Sequence, residues 1–358
     1  MTFEEARAQF PVFERYAYLN AGTLGPLSRA TLAAMDEQIR HDQELGRGGV
    51  AWFASVTALR EQVRAQLAAL LGTTPERIAL TFSTTDGCNI VLSGLDLIAD
   101  DEVVTTDAEH PGLLAPLGAC AARVRVAEVT KRPTAEALEI LLAQVTPRTR
   151  LIALSHVLWT TGQVMPVHEL KAETGLPVLV DGAQSVAAIP VELGELDFYT
   201  VSAQKWPCGP EPTGALYVRE PEALRVALPT SWSHLTIEPD GTFEPRVGAA
   251  RFDFGWIAAP MLAGLSAALD DLPEWGFARA AEMAARCHAA LVERFDVVTE
   301  PGQAGLISFR TQRDALEDAQ RAYDAGVIIR NVDPVWLRAS CGWWTSDEDI
   351  ERLVTALV

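Results

Sequence analysis

Three polar stretches at the ends of apolar runs hold the residues able to do chemistry. In "VSAQKWPCGPEPTG" (201–214), Lys205 stands where an apolar run stops, with no charged neighbour until Glu211. It is either an ordinary strand-end lysine or an amine held for covalent chemistry. In "LPVLVDGAQS" an apolar run leads straight into Asp181, which is either a solvated loop acid or a buried carboxylate aimed at a ligand. In "TFSTTDGCNIVLSGL", Ser83, Thr84, Thr85, Asp86 and Gly87 separate a strand-like run from helical text. Hydroxyls and free amides at a helix N-terminus make either a phosphate cradle or an ordinary N-cap. Lys205 follows Asp181 with room for a short connection and one more strand, so both residues can end at one rim.

A phosphate cradle, a carboxylate and an isolated lysine are together what pyridoxal 5′-phosphate (PLP) requires. The lysine amine forms a Schiff base with the aldehyde, the carboxylate keeps the pyridine nitrogen protonated, and the cradle holds the phosphate. The "STTDG" turn fits neither GxGxxG nor GxxxxGK[ST], which argues against a nucleotide cradle.

These residues need a frame that ends several strands side by side. "VTALREQVRAQLAALLG" reads as an amphipathic helix ending on Gly72, and "RIALTFS" as a short buried strand. "DEVVTTD", "RVRVAEV", "TRLIALSHV", "LPVLVDGAQ" and "LDFYTVSAQ" follow as further strands, with helical text such as "TAEALEILLAQV" between some of them. Such alternation predicts an α/β fold with a mainly parallel sheet flanked by helices, and ligands beyond the carboxyl ends of its strands. After about residue 255, a long helical stretch precedes the short strand-like pieces "GLISFRT", "GVIIRN" and "WLRASC". A final helix, "SDEDIERLVTALV", opens with a serine cap and an acidic first turn. The expected division is a large domain over 16–254 and a small α+β domain over 255–358, with residues 1–15 packing on the small one.

Composition narrows the function. The 358 residues are 49% hydrophobic and 22% charged, with a formal net charge of −19. That charge repels phosphate backbones and anionic lipid, so neither nucleic acid nor a membrane surface is an expected partner. "MTFEEARAQFPVF" lacks the apolar core of a signal peptide, and "FGWIAAPMLAGLSAAL" is too short to span a bilayer. Five scattered cysteines without a CxxC pair fit reduced thiols in a cytoplasmic protein, with no metal site.

From "YLNAGTLGPLSRATL" to "WLRASCGWWTSDEDIERL", the chain resembles the class V aminotransferase-like branch of fold-type I PLP enzymes. Within that branch it is most similar to L-cysteine/cystine C–S lyases, through "TTDGCNIVLSGLD", "TRLIALSHVLWTTGQVMPV", "VDGAQS" and "SAQKWPCGP". The resemblance implies Lys205 as the Schiff-base lysine and proton shuttle at Cα. It implies Asp181 at the pyridinium nitrogen, Gln184 at the ring's 3′-oxygen, and His110 of "DAEHPG" on the ring face. Thr84, Thr85 and Ser202 would hold the phosphate, with Gln204 close by. Arg338 of "WLRAS" would clamp the substrate carboxylate, and Arg330 would make a second anion contact suited to cystine. Asn20, Ala21 and Gly22 would form a loop over the substrate. Trp159 and His156 in "SHVLWTTG" either line the pocket or pack beneath it, and Trp232 and His234 share that ambiguity. PLP sites of this type lie near a dimer interface, so the resemblance also implies a homodimer.

Two departures refine the reading. Cysteine desulfurases carry a nucleophilic cysteine shortly before the substrate arginine, and "GVIIRNVDPVWLRAS" has none. Sulfur would then leave by β-elimination, giving pyruvate and ammonia. Relatives also show a Gly-Thr pair at the partner's cofactor phosphate where this chain has Gly255-Trp256. Transamination, or racemisation of the isopenicillin N epimerase kind, is the alternative enzymatic outcome. A non-catalytic PLP-fold protein is a third reading, disfavoured by intact Lys205, Asp181 and Arg338.

Overall fold

The computed structural model describes residues 1–130 and 132–358. Helix α1 (Phe3–Ala8) and strand β1 (Ala17–Tyr18) precede two long helices, α2 (Arg29–Leu45) and α3 (Gly49–Leu70). The large sheet comprises β2 (Ile78–Thr81), β3 (Glu102–Thr106), β4 (Arg123–Ala127), β5 (Thr149–Ser155), β6 (Val178–Asp181), β7 (Phe198–Ser202) and β8 (Gly214–Val218). Helices α4 (Thr84–Gly94), α5 (Pro111–Ala119), α6 (Ala137–Leu142) and α7 (Val167–Thr174) fall between the parallel strands. A hairpin, β9 (His234–Ile237) and β10 (Phe243–Pro245), and helix α8 (Ala259–Asp270) lead to α9 (Gly276–Val292). The smaller layer then adds β11 (Asp296–Val297), β12 (Leu306–Arg310), α10 (Ala315–Asp324), β13 (Val327–Ile328), β14 (Arg330–Asn331), β15 (Trp336–Ser340) and α11 (Asp347–Leu357).

The seven strands of the large sheet run in the order β2-β8-β7-β6-β5-β3-β4, and only the pairs involving β8 are antiparallel. The mainly parallel α/β sheet expected from the alternation is therefore present. Most of its strands are buried along their length, as a sheet covered on both faces requires. The edge strand β4 is the exception: its residues 123–125 are partly or wholly exposed and carry two arginines, which protects an open edge.

Topology alone places the site. Strands β2 and β7 both run antiparallel to β8, so Thr81 and Ser202 face the same residue, Gly214. The end of β2, which feeds α4, is thereby set beside the end of β7, which feeds Lys205. Close approach demands glycine at 214, because a Cβ there would lie 2.5 Å from the Val201 carbonyl oxygen and 3.0 Å from the Ser83 nitrogen.

The second layer is a four-stranded antiparallel sheet, β11-β12-β15-β14, with α9, α10 and α11 packed on it. Ser346 caps α11 in a capping box with Asp349, as its sequence indicates. Residues 1–15 lie against this layer: Phe10 and Phe13 contact Trp343 and Trp344, and Arg7 pairs with Asp349 at 2.8 Å. The segment just after residue 255 packs with the large sheet. Ile257, Leu262 and Leu265 pack into the apolar cluster of the large sheet, and α8 lies against α2 and α3. The small layer's own core begins with α9, through Met283, Cys287 and Leu291.

Candidate active site

Four strand ends meet at the carboxyl rim. Asp181 closes β6 and is buried, its Oδ1 accepting a hydrogen bond from the Ala183 amide at 2.9 Å. Burial raises its pKa, and the charge of Lys205 opposes that rise. Lys205 follows β7 on a turn whose next residue, Trp206, is fully buried and pins the backbone in place. Burial pushes the Lys205 ammonium down to about 8; Asp181 opposes the shift, while Arg338 and Arg330 add to it. A lysine with such a pKa keeps a usable fraction of free amine near neutral pH.

Thr84 opens α4 beside Ser202, with the Thr84 amide 3.4 Å and its hydroxyl 3.5 Å from the Ser202 hydroxyl. Ser83 is the N-cap, accepting from the Asp86 amide at 3.3 Å. Ser83 therefore caps the helix, while Thr84 and Ser202 present loosely engaged hydroxyls beside its positive end. Thr85 faces the neighbouring turn, since a Cβ on Gly112 would lie 2.7 Å from its Oγ1. That turn carries His110, the N-cap of α5, whose Nδ1 accepts from the Gly112 amide at 3.0 Å. The imidazole proton is then on Nε2. Burial, then the charges of Lys205, Arg330 and Arg338, hold the ring down to about 4, so it is neutral at physiological pH. Trp159 meets it edge-on at a centroid distance of 5.3 Å.

The small layer contributes two arginines. Arg338 on β15 is 1% exposed; its Nη1 donates to the Trp159 carbonyl at 2.7 Å and its Nε has no partner. Burial, then the charge of Arg330, pushes its guanidinium down to about 9. No carboxylate is among its hydrogen-bond partners in the described residues, so its charge is buried without a counterion there. Arg330 on β14 donates to the Thr23 hydroxyl at 3.1 Å.

The loop after β1 is fastened across this group. Asn20 bridges Ser340 and accepts from the Thr23 hydroxyl at 2.8 Å. Ala21 is fully buried, the Gly22 carbonyl accepts from Gln184 Nε2 at 2.8 Å, and the Gly25 amide donates to the Gln204 carbonyl at 2.8 Å. Gln184 is further fixed by Trp206 Nε1 at 3.0 Å. A Cβ on Gly22 would lie 2.8 Å from Arg338 Nη2, so the loop lies directly on the guanidinium.

The geometry separates residues that the sequence leaves ambiguous. His156 lies beneath the site, its Nδ1 2.7 Å from the Tyr199 hydroxyl. Trp232 stacks under Arg60 at 4.3 Å, and His234 belongs to the hairpin. Trp256 stacks on Trp52 at 5.7 Å beside a surface cavity of 610 Å³, and the Gly255 carbonyl accepts from Arg60. Thr23 and Glu109 are functional candidates that motif reading passes over. Glu109 sits in "DAEHPG" next to His110, and a carboxylate at a strand end was the available signal.

The donor set fits PLP. The Gln204 side-chain oxygen, Trp159 Nε1, Ser340 Oγ and Arg338 Nε are all buried without partners around the rim. The Lys205 ammonium acts on both the buried Asp181 carboxylate and the neutral His110 imidazole, and Ser202, closing the strand that feeds Lys205, lies against the helix N-terminus at Thr84.

A family model for Aminotransferase class-V matches residues 17–330, and the chain belongs to that family. Isopenicillin N epimerase of Streptomyces clavuligerus is 30% identical over 408 residues, covering 99% of this chain and 97% of the relative. A cysteine desulfurase of Klebsiella pneumoniae is 28% identical, covering 100% and 98%. Among solved structures, the cystine C–S lyase C-DES in complex with its reaction product cysteine persulfide has a TM-score of 0.90 at 30% identity, covering 98% of this chain and 99% of that one. A C-DES variant with glycine covalently linked to its PLP cofactor matches with the same score and identity.

Proposed function

We propose that the chain is a PLP-dependent carbon–sulfur lyase that carries out β-elimination on cysteine- or cystine-type amino acids. The observation that carries the reading is Lys205, just past the end of β7, close enough to Asp181 at the end of neighbouring β6 and to Arg338 and Arg330 for their charges to act on its ammonium. Bound PLP supplies a ring that withdraws electrons from the substrate Cα and makes its proton acidic. Asp181 holds the ring nitrogen protonated, and Thr84, Thr85, Ser202 and the N-terminus of α4 hold the phosphate, with Gln204 alongside. His110, neutral and fixed by the Gly112 amide, covers the ring face against Trp159.

Arg338 clamps the substrate carboxylate, and Arg330 takes the second carboxylate of a cystine-like substrate. Gln184 anchors the loop of Asn20, Ala21 and Gly22, which excludes water above the reacting carbon. Lys205 takes the Cα proton, the Cβ–S electron pair leaves with sulfur, and the aminoacrylate released hydrolyses to pyruvate and ammonia.

The cysteines support elimination over a persulfide relay. Cys88, Cys208 and Cys341 are buried, and burial raises the Cys88 and Cys208 thiols far from their reactive form. The thiol of Cys341 is raised first by its hydrogen bond to Cys287 and then by burial. The epimerase relative favours racemisation as the second reading, since that reaction shares removal of the Cα proton. Incubation with cystine decides: pyruvate formation supports the lyase. Loss of optical activity or amino-group exchange without pyruvate overturns it.

A homodimer in a reducing, cytoplasmic compartment completes the proposal. Trp52 stacks on Trp256, Phe53 lies edge-on to both, and Val50, Phe53 and Trp256 are exposed, an apolar patch suited to a second copy. Gly255 and Trp256 would approach the partner's cofactor from that patch. The five cysteines are free, and no described helix is long and apolar enough to cross a membrane. Light scattering on the purified protein measures the assembly.

A further inference from the structure

Glu109 precedes His110 and turns the opposite way, into the sheet, where it is 4% exposed. Its Oε1 accepts from the Thr106 hydroxyl at 2.7 Å, and its Oε2 accepts from the Ser155 amide at 2.9 Å and the Ser155 hydroxyl at 2.5 Å. One side chain thus ties the end of β3 to the end of β5. Ser155 is in turn paired in register with Asp181 on β6, so Glu109 is a second buried carboxyl directly behind the first.

A buried carboxylate is a costly tie between two strands when an amide or hydroxyl could serve. No cation shifts its pKa, which burial drives up to about 7 against the Ser155 and Thr106 hydrogen bonds, with the Asp181 charge adding to the rise. From α4 it faces the Cys88 thiol, which burial raises first and the Asp181 and Glu109 charges raise further. His110, the neighbouring residue, points away from it; from β3, β5 and β6 come Thr106, Ser155 and Asp181. Lys205 lies beyond Asp181 and acts on that residue. A negative charge behind Asp181 strengthens the attraction for any cation that Asp181 holds.

We propose that Glu109 is a positioning residue of the cofactor site. It fixes the turn that presents His110, and its ionised carboxylate reinforces the grip of Asp181 on a protonated ring nitrogen. The inference rests on the PLP reading above. The role differs from a structural tie because charge, as well as shape, is used.

The test compares PLP-loaded wild type with Glu109→Gln and Glu109→Ala, reading the visible absorption of the bound cofactor across neutral pH, cofactor affinity and melting temperature. Wild type should show a spectral or affinity step near neutral pH. Glu109→Gln should lose that step and bind PLP about tenfold more weakly, the size of a one-unit shift at the ring nitrogen. An unchanged step and affinity in Glu109→Gln, whatever its melting temperature, overturns the inference while leaving the PLP reading intact. A wild-type protein with no bound-cofactor band overturns both. Should Glu109→Ala fail to fold, the glutamine variant alone decides.

Discussion

Arg330 and Arg338 stand directly opposite each other across β14 and β15, and both donate to the hydroxyl of Thr23. Two like charges opposite one another on neighbouring strands destabilise a sheet, and one of these is buried without a carboxylate partner. An anion supplied by the proposed substrate would relieve that repulsion.

Replacing Arg338 should therefore separate stability from function. Arg338→Met removes an unpaired buried charge and keeps the volume, so the ligand-free protein should melt higher. The lost charge-assisted contact should lower kcat/KM by about tenfold to a hundredfold. Arg330→Met should raise KM for cystine more than for substrates with one carboxylate. Equal losses on both substrate classes would remove Arg330 from substrate recognition.

Lys205 offers a test by pH. Its amine must lose a proton before it can attack an aldehyde, and its ammonium is pushed down to about 8 from an ordinary 10.5. The rate of PLP uptake by the cofactor-free protein should climb through pH 8 and then level. An ordinary lysine would leave it climbing toward pH 10.5. Stopped-flow absorbance follows this directly, and Lys205→Ala should show no such reaction.

Much of this site was legible because strand ends announce themselves in sequence. Asp181 and Lys205 each terminate an apolar run, and the crossover connections bring such ends to one rim. The hydroxyl turn at 83–85 was legible in composition, but its proximity to Ser202 depends on both strands flanking β8. The arginine pair was legible through resemblance alone, since only the antiparallel register sets residue 330 opposite 338. Thr23 and Glu109 escaped notice for a physical reason: the contacts that matter, Thr23 with Arg330 and Arg338 and Glu109 with Ser155, join distant parts of the chain, and neither spacing nor periodicity encodes a long-range hydrogen bond. Where α8 packs was equally hidden: though adjacent to α9 in sequence, it buries Leu262 and Leu265 with the large sheet.

His110 carries a prediction for stability in acid. Its pKa is lowered to about 4 in the fold from an ordinary 6.5, so the unfolded chain takes up a proton that the native chain refuses. Its contribution is present above pH 6.5 and is lost as pH falls toward 4. Urea melts of the cofactor-free protein should show wild type losing stability in that window relative to His110→Gln. Parallel curves would mean that the imidazole is not held neutral by its surroundings.

Loop closure over Lys205 is testable at a single methyl group. A Cβ on Gly25 would lie 2.0 Å from the Lys205 carbonyl oxygen, a backbone atom that cannot move aside without shifting the lysine. Gly25→Ala must therefore push the loop outward, loosening the contacts of Thr23 with both arginines. Overpacking of this kind costs about 1–3 kcal/mol. Turnover should fall by more than the melting temperature implies, because displaced loop and displaced amine act on the same proton transfer. Gly48→Ala supplies the control: nothing lies within 4 Å of its Cβ, and its backbone is extended. That variant should stay within about 0.5 kcal/mol of wild type. Full activity in Gly25→Ala would show that the loop yields without disturbing Lys205, and water exclusion by residues 20–25 would then have no part in the reaction.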